Sequence, residues 1–71
     1  METRIKELRK ANKVSQEELA LAVGTTRQTI TSIETGKYNP SLELAFAISD
    51  FFDKSIEEIF IYERGTENEK K

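Results

Sequence analysis

The stretch Gln16–Gly36, QEELALAVGTTRQTITSIETG, decides how this chain folds. It reads as two short helices joined by a tight turn. Leu19, Ala20 and Val23 fall on one helical face, and Ile30 and Ile33 repeat that spacing in the second helix. Ala20 is small enough for close helix approach, and Gly24 stands where the first helix must end, because glycine enters the left-handed region without a Cβ penalty. Thr26 suits the N-cap of the second helix, and Arg27 and Gln28 complete its polar first turn. A helix presented end-first, leading with a guanidinium and a carboxamide, has the donors to read base edges.

Working outward, Ser15-Gln16-Glu17-Glu18 is a capping box that starts the first of these helices. Upstream, a further helix is expected from about Arg4 to Asn12, with Thr3 as its cap and Ile5 and Leu8 as its buried stripe. Lys13 occupies its exit, where glycine would be more comfortable, and Asn12 is expected to help by visiting the left-handed region. Downstream, the recognition helix runs to about Thr35 and Gly36 stops it. Lys37-Tyr38-Asn39-Pro40 forms a loop, with Pro40 near the first position of a fourth helix. Leu42, Ala45, Ile48, Phe51 and Phe52 give that helix a wide apolar face, and Ser55-Ile56-Glu57-Glu58 opens a short fifth helix with a second capping box. Ile59-Phe60-Ile61-Tyr62 is β-prone. The expected fold is therefore all-α, five compact helices with room for a short C-terminal strand. Residues 1–64 form one domain, the helix-turn-helix unit spans 16–35, and 65–71 is a polar, frayed tail.

Composition bounds the function. Seventy-one residues make one domain. A chain that short buries only about 60% of its unfolded surface, which demands a tight helical core. Cysteine and histidine are both absent, which removes disulfides, thiol nucleophiles, histidine bases and the usual zinc ligands. No metal site or cofactor is called for, no small-molecule ligand is evident, and neither a membrane span nor a secretory signal is visible. The lack of cysteine fits a reducing cytoplasm. Net charge is −2, which argues against a polyanion partner until its distribution is considered. Residues 1–38 carry seven Lys/Arg against five Glu, a balance of +2; residues 39–71 carry four against eight Asp/Glu, a balance of −4. The acidic half can face solvent while the front keeps its cations for phosphate. Affinity for random duplex should be modest, leaving shape and base contacts to carry binding.

From Ser15 through Pro40 the chain resembles the phage-repressor-type (Cro/CI, or Xre) helix-turn-helix family of transcriptional regulators, and the likeness extends more weakly over residues 3–62. It rests on Gln16 opening the second helix, Ala20 and Gly24 four residues apart, Ile30 and Ile33 closing the core, and Glu34-Thr35-Gly36-Lys37 finishing the block. Lys13 and Thr35 depart from the family's usual Gly and Asn. The resemblance implies a lambda-repressor-like domain that binds double-stranded DNA. It also implies a phosphate role for Gln16 and a partly buried Arg9–Glu34 pair that orients the recognition helix.

Residue by residue, Thr26, Arg27, Gln28 and Ser32 are the candidates for base contact. Arg can bond guanine O6 and N7 together and Gln can bond adenine N6 and N7, each pair discriminating by about 1–3 kcal/mol. Gln16, Thr31, Lys37, Tyr38 and Asn39 are the candidates for phosphate contact. Gln16 sits at a helix N-terminus whose free amides favour anions. Thr31 and Ser32 are short and reach DNA only if the helix inserts deeply, and Tyr38 has an equal alternative in packing at the loop base. Thr29 is expected to support the cap, and Arg4, Lys6, Lys10 and Lys13 to solvate the surface. Phe46, Phe51, Phe52 and Phe60 have helical spacing and are expected in the core, with one at a subunit contact.

The run through Phe60, Ile61 and Tyr62 has two readings: it finishes a monomer's core, or it pairs with the same segment of a second copy. The second is favoured, because a small repressor needs a two-fold axis to meet half-sites ~34 Å apart. The leading function is thus a sequence-specific transcriptional regulator, a homodimer that represses by occluding an operator, and not an enzyme. The alternatives are a DNA-binding antitoxin or restriction-modification controller and, from another class, a protein-interaction adaptor that no longer touches DNA.

Overall fold

Four of the five helices among the described residues end in the same way. In a computed structural model, which describes residues 1–62, the order is β1 (Glu2–Thr3), α1 (Ile5–Ala11), α2 (Gln16–Val23), α3 (Arg27–Glu34), α4 (Leu42–Phe52), α5 (Ile56–Ile59) and β2 (Phe60–Ile61). At the ends of α1 to α4 one residue turns left-handed: Lys13 (φ 57°), Gly24 (φ 77°), Gly36 (φ 79°) and Asp53 (φ 55°). Across each of them a backbone N–H reaches back five positions. Val14 donates to the Arg9 carbonyl (2.8 Å), Thr25 to Ala20 (2.8 Å), Lys37 to Ser32 (3.0 Å) and Lys54 to Ser49 (3.1 Å). These bonds satisfy carbonyls that a helix end leaves without partners.

The helix starts are as local. Ser15 and Ser55 form the expected capping boxes, each accepting from the N3 amide while the N3 glutamate accepts from the serine amide. Thr26 accepts from the Thr29 amide, and Ser41 caps α4 by accepting from Leu44, which puts Pro40 one residue ahead of the cap and not at the first helical position expected for it. The α1 reading needs two corrections. Its cap is Arg4 and not Thr3, with no side-chain cap bond, because residues 2 and 3 are drawn into a strand. Its left-handed exit residue is Lys13; Asn12 stays at φ −99° and instead donates its side chain to the Leu8 carbonyl.

The core is assembled from Ile5, Leu19, Ala20, Ile30, Ile33, Ala45, Ile48, Phe52, Ile59 and Phe60, with Leu8, Val14, Val23, Leu44 and Ile56 packed around it. Ala20 is almost fully buried on α2, which packs against both α3 and α4. The apolar face of α4 is narrower than expected. Ala45, Ile48 and Phe52 are inside, whereas Leu42 (69%), Phe46 (57%) and Phe51 (41%) are exposed, because the rest of the domain covers only one side of the helix. Phe51 instead stands edge-on to Phe52, ring centres 5.0 Å apart.

The β-prone segment finds its partner within the chain. β1 and β2 are antiparallel, with Glu2 opposite Ile61 and Thr3 opposite Phe60, and the Arg4 N–H extends the ladder to the Ile59 carbonyl (2.8 Å). Phe60 turns into the core, and Tyr62 beyond it is exposed. One edge of β2 is therefore occupied by the chain's own start. The domain limit at 64 and the polar tail 65–71 lie outside the described residues.

Candidate nucleic-acid interface

Helix α3 lies across α2 with its buried side on Ile30 and Ile33, and this leaves Arg27, Gln28 and Thr31 exposed. Thr26 precedes the helix with its hydroxyl engaged, accepting from the Thr29 amide (3.1 Å) and sharing a hydrogen bond with the Thr29 hydroxyl (3.0 Å). Gln28 makes no side-chain hydrogen bond among the described residues, so both ends of its carboxamide are open to a ligand. The two exposed side chains of the first turn are therefore held differently.

Arg27 is tied back to α2. Its Nε donates to Gln16 Oε1 (3.4 Å), leaving the terminal Nη groups without a partner among the described residues. The Thr31 hydroxyl is also within reach of Gln16 Oε1 (3.3 Å) and of the Arg27 carbonyl (3.1 Å). Gln16 Nε2 donates in the opposite direction, to Glu34 Oε1 (2.9 Å). Glu34 completes the chain by accepting from Arg9: Nε to Oε2 at 2.6 Å and Nη2 to Oε1 at 3.2 Å, while Arg9 Nη1 caps the Val14 carbonyl (3.1 Å). The pair is nearly dry, its side chains 11% and 6% exposed. One continuous polar path thus joins α1, α2 and the first turn of α3.

The Arg9–Glu34 contact is the one the sequence reading placed between the first and third helices. Gln16's place inside the network is not. A lone Gln at a helix start offers a phosphate donor on its own; its second role depends on neighbours 11 and 18 positions away.

The loop after α3 is folded back onto the helix. The Ser32 carbonyl accepts from the amides of Lys37 (3.0 Å) and Tyr38 (3.3 Å) and from the Thr35 hydroxyl (3.2 Å). Tyr38 is brought beside Thr26, Gln28, Thr29 and Ser32, where the five residues line a shallow recess of ≈ 270 Å³. A second depression, ≈ 410 Å³, lies between Arg9, Ser15, Gln16, Glu17 and Arg27. Lys37 and Asn39 are exposed in the loop. Candidate base and phosphate residues therefore share one surface, built from the α2 start, the α3 start and the loop after α3.

A family model described as Helix-turn-helix matches residues 5–59. The chain belongs to this helix-turn-helix family, of the Cro/CI type. Over its full 71 residues the regulator is 51% identical to an uncharacterized HTH-type transcriptional regulator of Archaeoglobus fulgidus, the match covering 100% of both. It is 52% identical over 63 residues to another from Methanocaldococcus jannaschii, covering 89% of this chain and 96% of that one. Among solved structures it resembles the restriction-modification controller protein C.AhdI from Aeromonas hydrophila, with TM-score 0.73, 35% identity, and 80% of this chain and 86% of that chain covered. The regulator is a DNA-binding protein of a transcription-factor family, and its architecture is the five-helix one expected. Among the described residues no helix is long and apolar enough to cross a membrane.

Proposed function

We propose that this chain is a repressor that works as a homodimer, covering an operator so that polymerase cannot enter. Thr26, Arg27, Gln28 and Ser32 face the base edges. Gln16, Thr31, Lys37, Tyr38 and Asn39 hold the flanking phosphates. The observation that carries this reading is the exposed first turn of α3, where the Gln28 carboxamide and the Nη groups of Arg27 have no hydrogen-bond partner among the described residues.

The second copy is supported by an apolar groove of ≈ 330 Å³ between α4, α5 and β2, with Leu42 and Tyr62 on its rim and both well exposed. In this reading Phe60 supports the contact from beneath, and Ile61 and Tyr62 make it. The protein performs no chemistry of its own and acts in the cytoplasm.

Selection from a random duplex pool tests the proposal. Enrichment of a two-fold symmetric motif, with half-sites about one helical turn apart, is the expected result. No enrichment over the starting pool would overturn it. The likeness to C.AhdI favours a second reading, control of a restriction-modification system. Its expected result is a bound motif upstream of a methyltransferase or endonuclease gene.

A further inference from the structure

We infer that β1 positions the loop after α3 and, through it, links the seating of a second copy to the grip on DNA. This rests on the homodimer and DNA-reading roles proposed above and gives that same site its regulation.

The strand touches both surfaces. On one side it is the ladder partner of β2, and on the other it packs against α3. Met1, just ahead of it, reaches the exit of that helix. Its carbonyl oxygen lies 3.3 Å from where a Cβ on Gly36 would stand, a close approach that the missing side chain eases. Met1, Asn39 and Tyr62 line the apolar groove in which the second copy sits. The same three residues line a polar cleft of ≈ 610 Å³ that also includes Glu34, Thr35 and Gly36. The loop carrying the phosphate candidates Lys37, Tyr38 and Asn39 starts there.

The strand is also suited to have two states, because a two-residue ladder is marginal on its own. A second copy in the groove covers Met1 and Tyr62, both exposed in the single chain, and so favours the paired state. With β1 paired, the Met1 backbone stays against Gly36, and the loop keeps the arrangement in which the Lys37 and Tyr38 amides bond the Ser32 carbonyl. The ordering cost then falls once, and a phosphate that reaches the loop after dimerisation meets less of it. By reciprocity, duplex on the loop favours the second copy by the same factor.

The experiment uses the full chain and a duplex carrying a single half-site of the selected operator, so that no DNA bridges two protomers. The dimer dissociation constant is measured by sedimentation with and without saturating duplex. Native protein should associate about fivefold more tightly, or better, when the duplex is present. Arg4 and Ile59 are a bonded pair, and alternation along the ladder makes Glu2 and Ile61 the next, so Glu2→Pro removes a rung. Glu2 is exposed, and the substitution leaves the core untouched. Glu2→Pro should dimerise equally with and without duplex, whereas Glu2→Ala, which keeps the amide, should retain the native response. Hydrogen exchange needs no variant: the Lys37 and Tyr38 amides should slow on dimerisation with no DNA present. A native dimer indifferent to duplex would overturn the proposal, as would a full response in Glu2→Pro or loop amides that exchange alike in monomer and dimer. A chain that stays monomeric at every concentration would overturn the homodimer reading and this coupling with it. Failure to retain any duplex would overturn the DNA-reading role itself.

Discussion

Arg9 grips both carboxylate oxygens of Glu34 from 25 positions away, and the same carboxylate holds Gln16. A nearly dry ion pair is weak evidence of stability by itself, because desolvation offsets most of the attraction. Removing one partner is another matter. Glu34→Ala strands the Arg9 guanidinium and should cost about 3–5 kcal/mol in urea unfolding. The double variant Arg9→Met/Glu34→Leu should be more stable than Glu34→Ala. Equal losses in the single and double variants would show that the pair is not coupled.

Arg27 and Lys37 should fail in different ways. Arg27→Ala should relax selectivity at one operator position and cost about 1–3 kcal/mol there. Lys37→Ala should weaken all duplexes alike and reduce the salt slope by about one unit. Competition titrations against random DNA at several salt concentrations separate the two. Matching effects from both substitutions would reject the assignment of base and phosphate roles.

Lys13 sits at φ 57°, where a side chain costs roughly 1–2 kcal/mol. Lys13→Gly should therefore stabilise the domain by about 0.5–1 kcal/mol after the entropy of glycine in the unfolded chain is deducted. Gly36→Ala should do the reverse, and more strongly than Gly24→Ala. A Cβ on Gly36 would meet the Met1 carbonyl oxygen at 3.3 Å, whereas nothing lies within 4 Å of one on Gly24. Thermal unfolding of the three variants gives the ranking.

Glu58 carries the clearest pH dependence. The Ser55 amide, followed by the Ser55 side chain, holds its carboxyl below the usual range, with smaller help from Lys54 and Arg4. A lowered folded-state value means that the folded protein favours the carboxylate. This contribution is complete above the unfolded glutamate value and is lost as pH falls through the lowered one. The difference in melting temperature between native protein and Glu58→Gln should thus be larger at about pH 7 than at about pH 3. A gap that does not shrink on acidification would remove the capping bond as its cause.

Tyr62→Glu should halve the sedimenting mass if the exposed end of β2 meets a second copy, leaving the helical circular dichroism intact. An unchanged mass would move the contact elsewhere. Cutting the chain after Ile59 would be a poorer test, since it also takes Phe60 from the core and unpairs β1.

How far the sequence could be read follows from the range of each signal. Ser15, Ser55, Gly24 and Gly36 announce helix ends within four residues of themselves, and those ends are where they were expected. Lys13 and Asp53 make the same turn as the glycines, but their residue types do not advertise it. Phe46 and Phe51 have the spacing of core residues, yet burial depends on what the rest of the chain can cover, and periodicity carries no such information. β1 has two residues and takes its conformation from a partner 58 positions or so away, so nothing local marks it. At the interface, the residue types of the first turn of α3 were legible, while the anchoring of Arg27 by Gln16 and the folding of Tyr38 onto α3 needed the tertiary structure.

Gln16 has one further consequence. Its carboxamide is oriented on one side by an anion and on the other by the Arg27 Nε, so a long, floppy side chain is partly immobilised before a duplex arrives. Part of the rotamer freedom that such a contact normally forfeits on association is already given up in the unbound protein. Releasing that restraint with Gln16→Ala would leave the guanidinium in place chemically while making it a slower, looser probe of sequence.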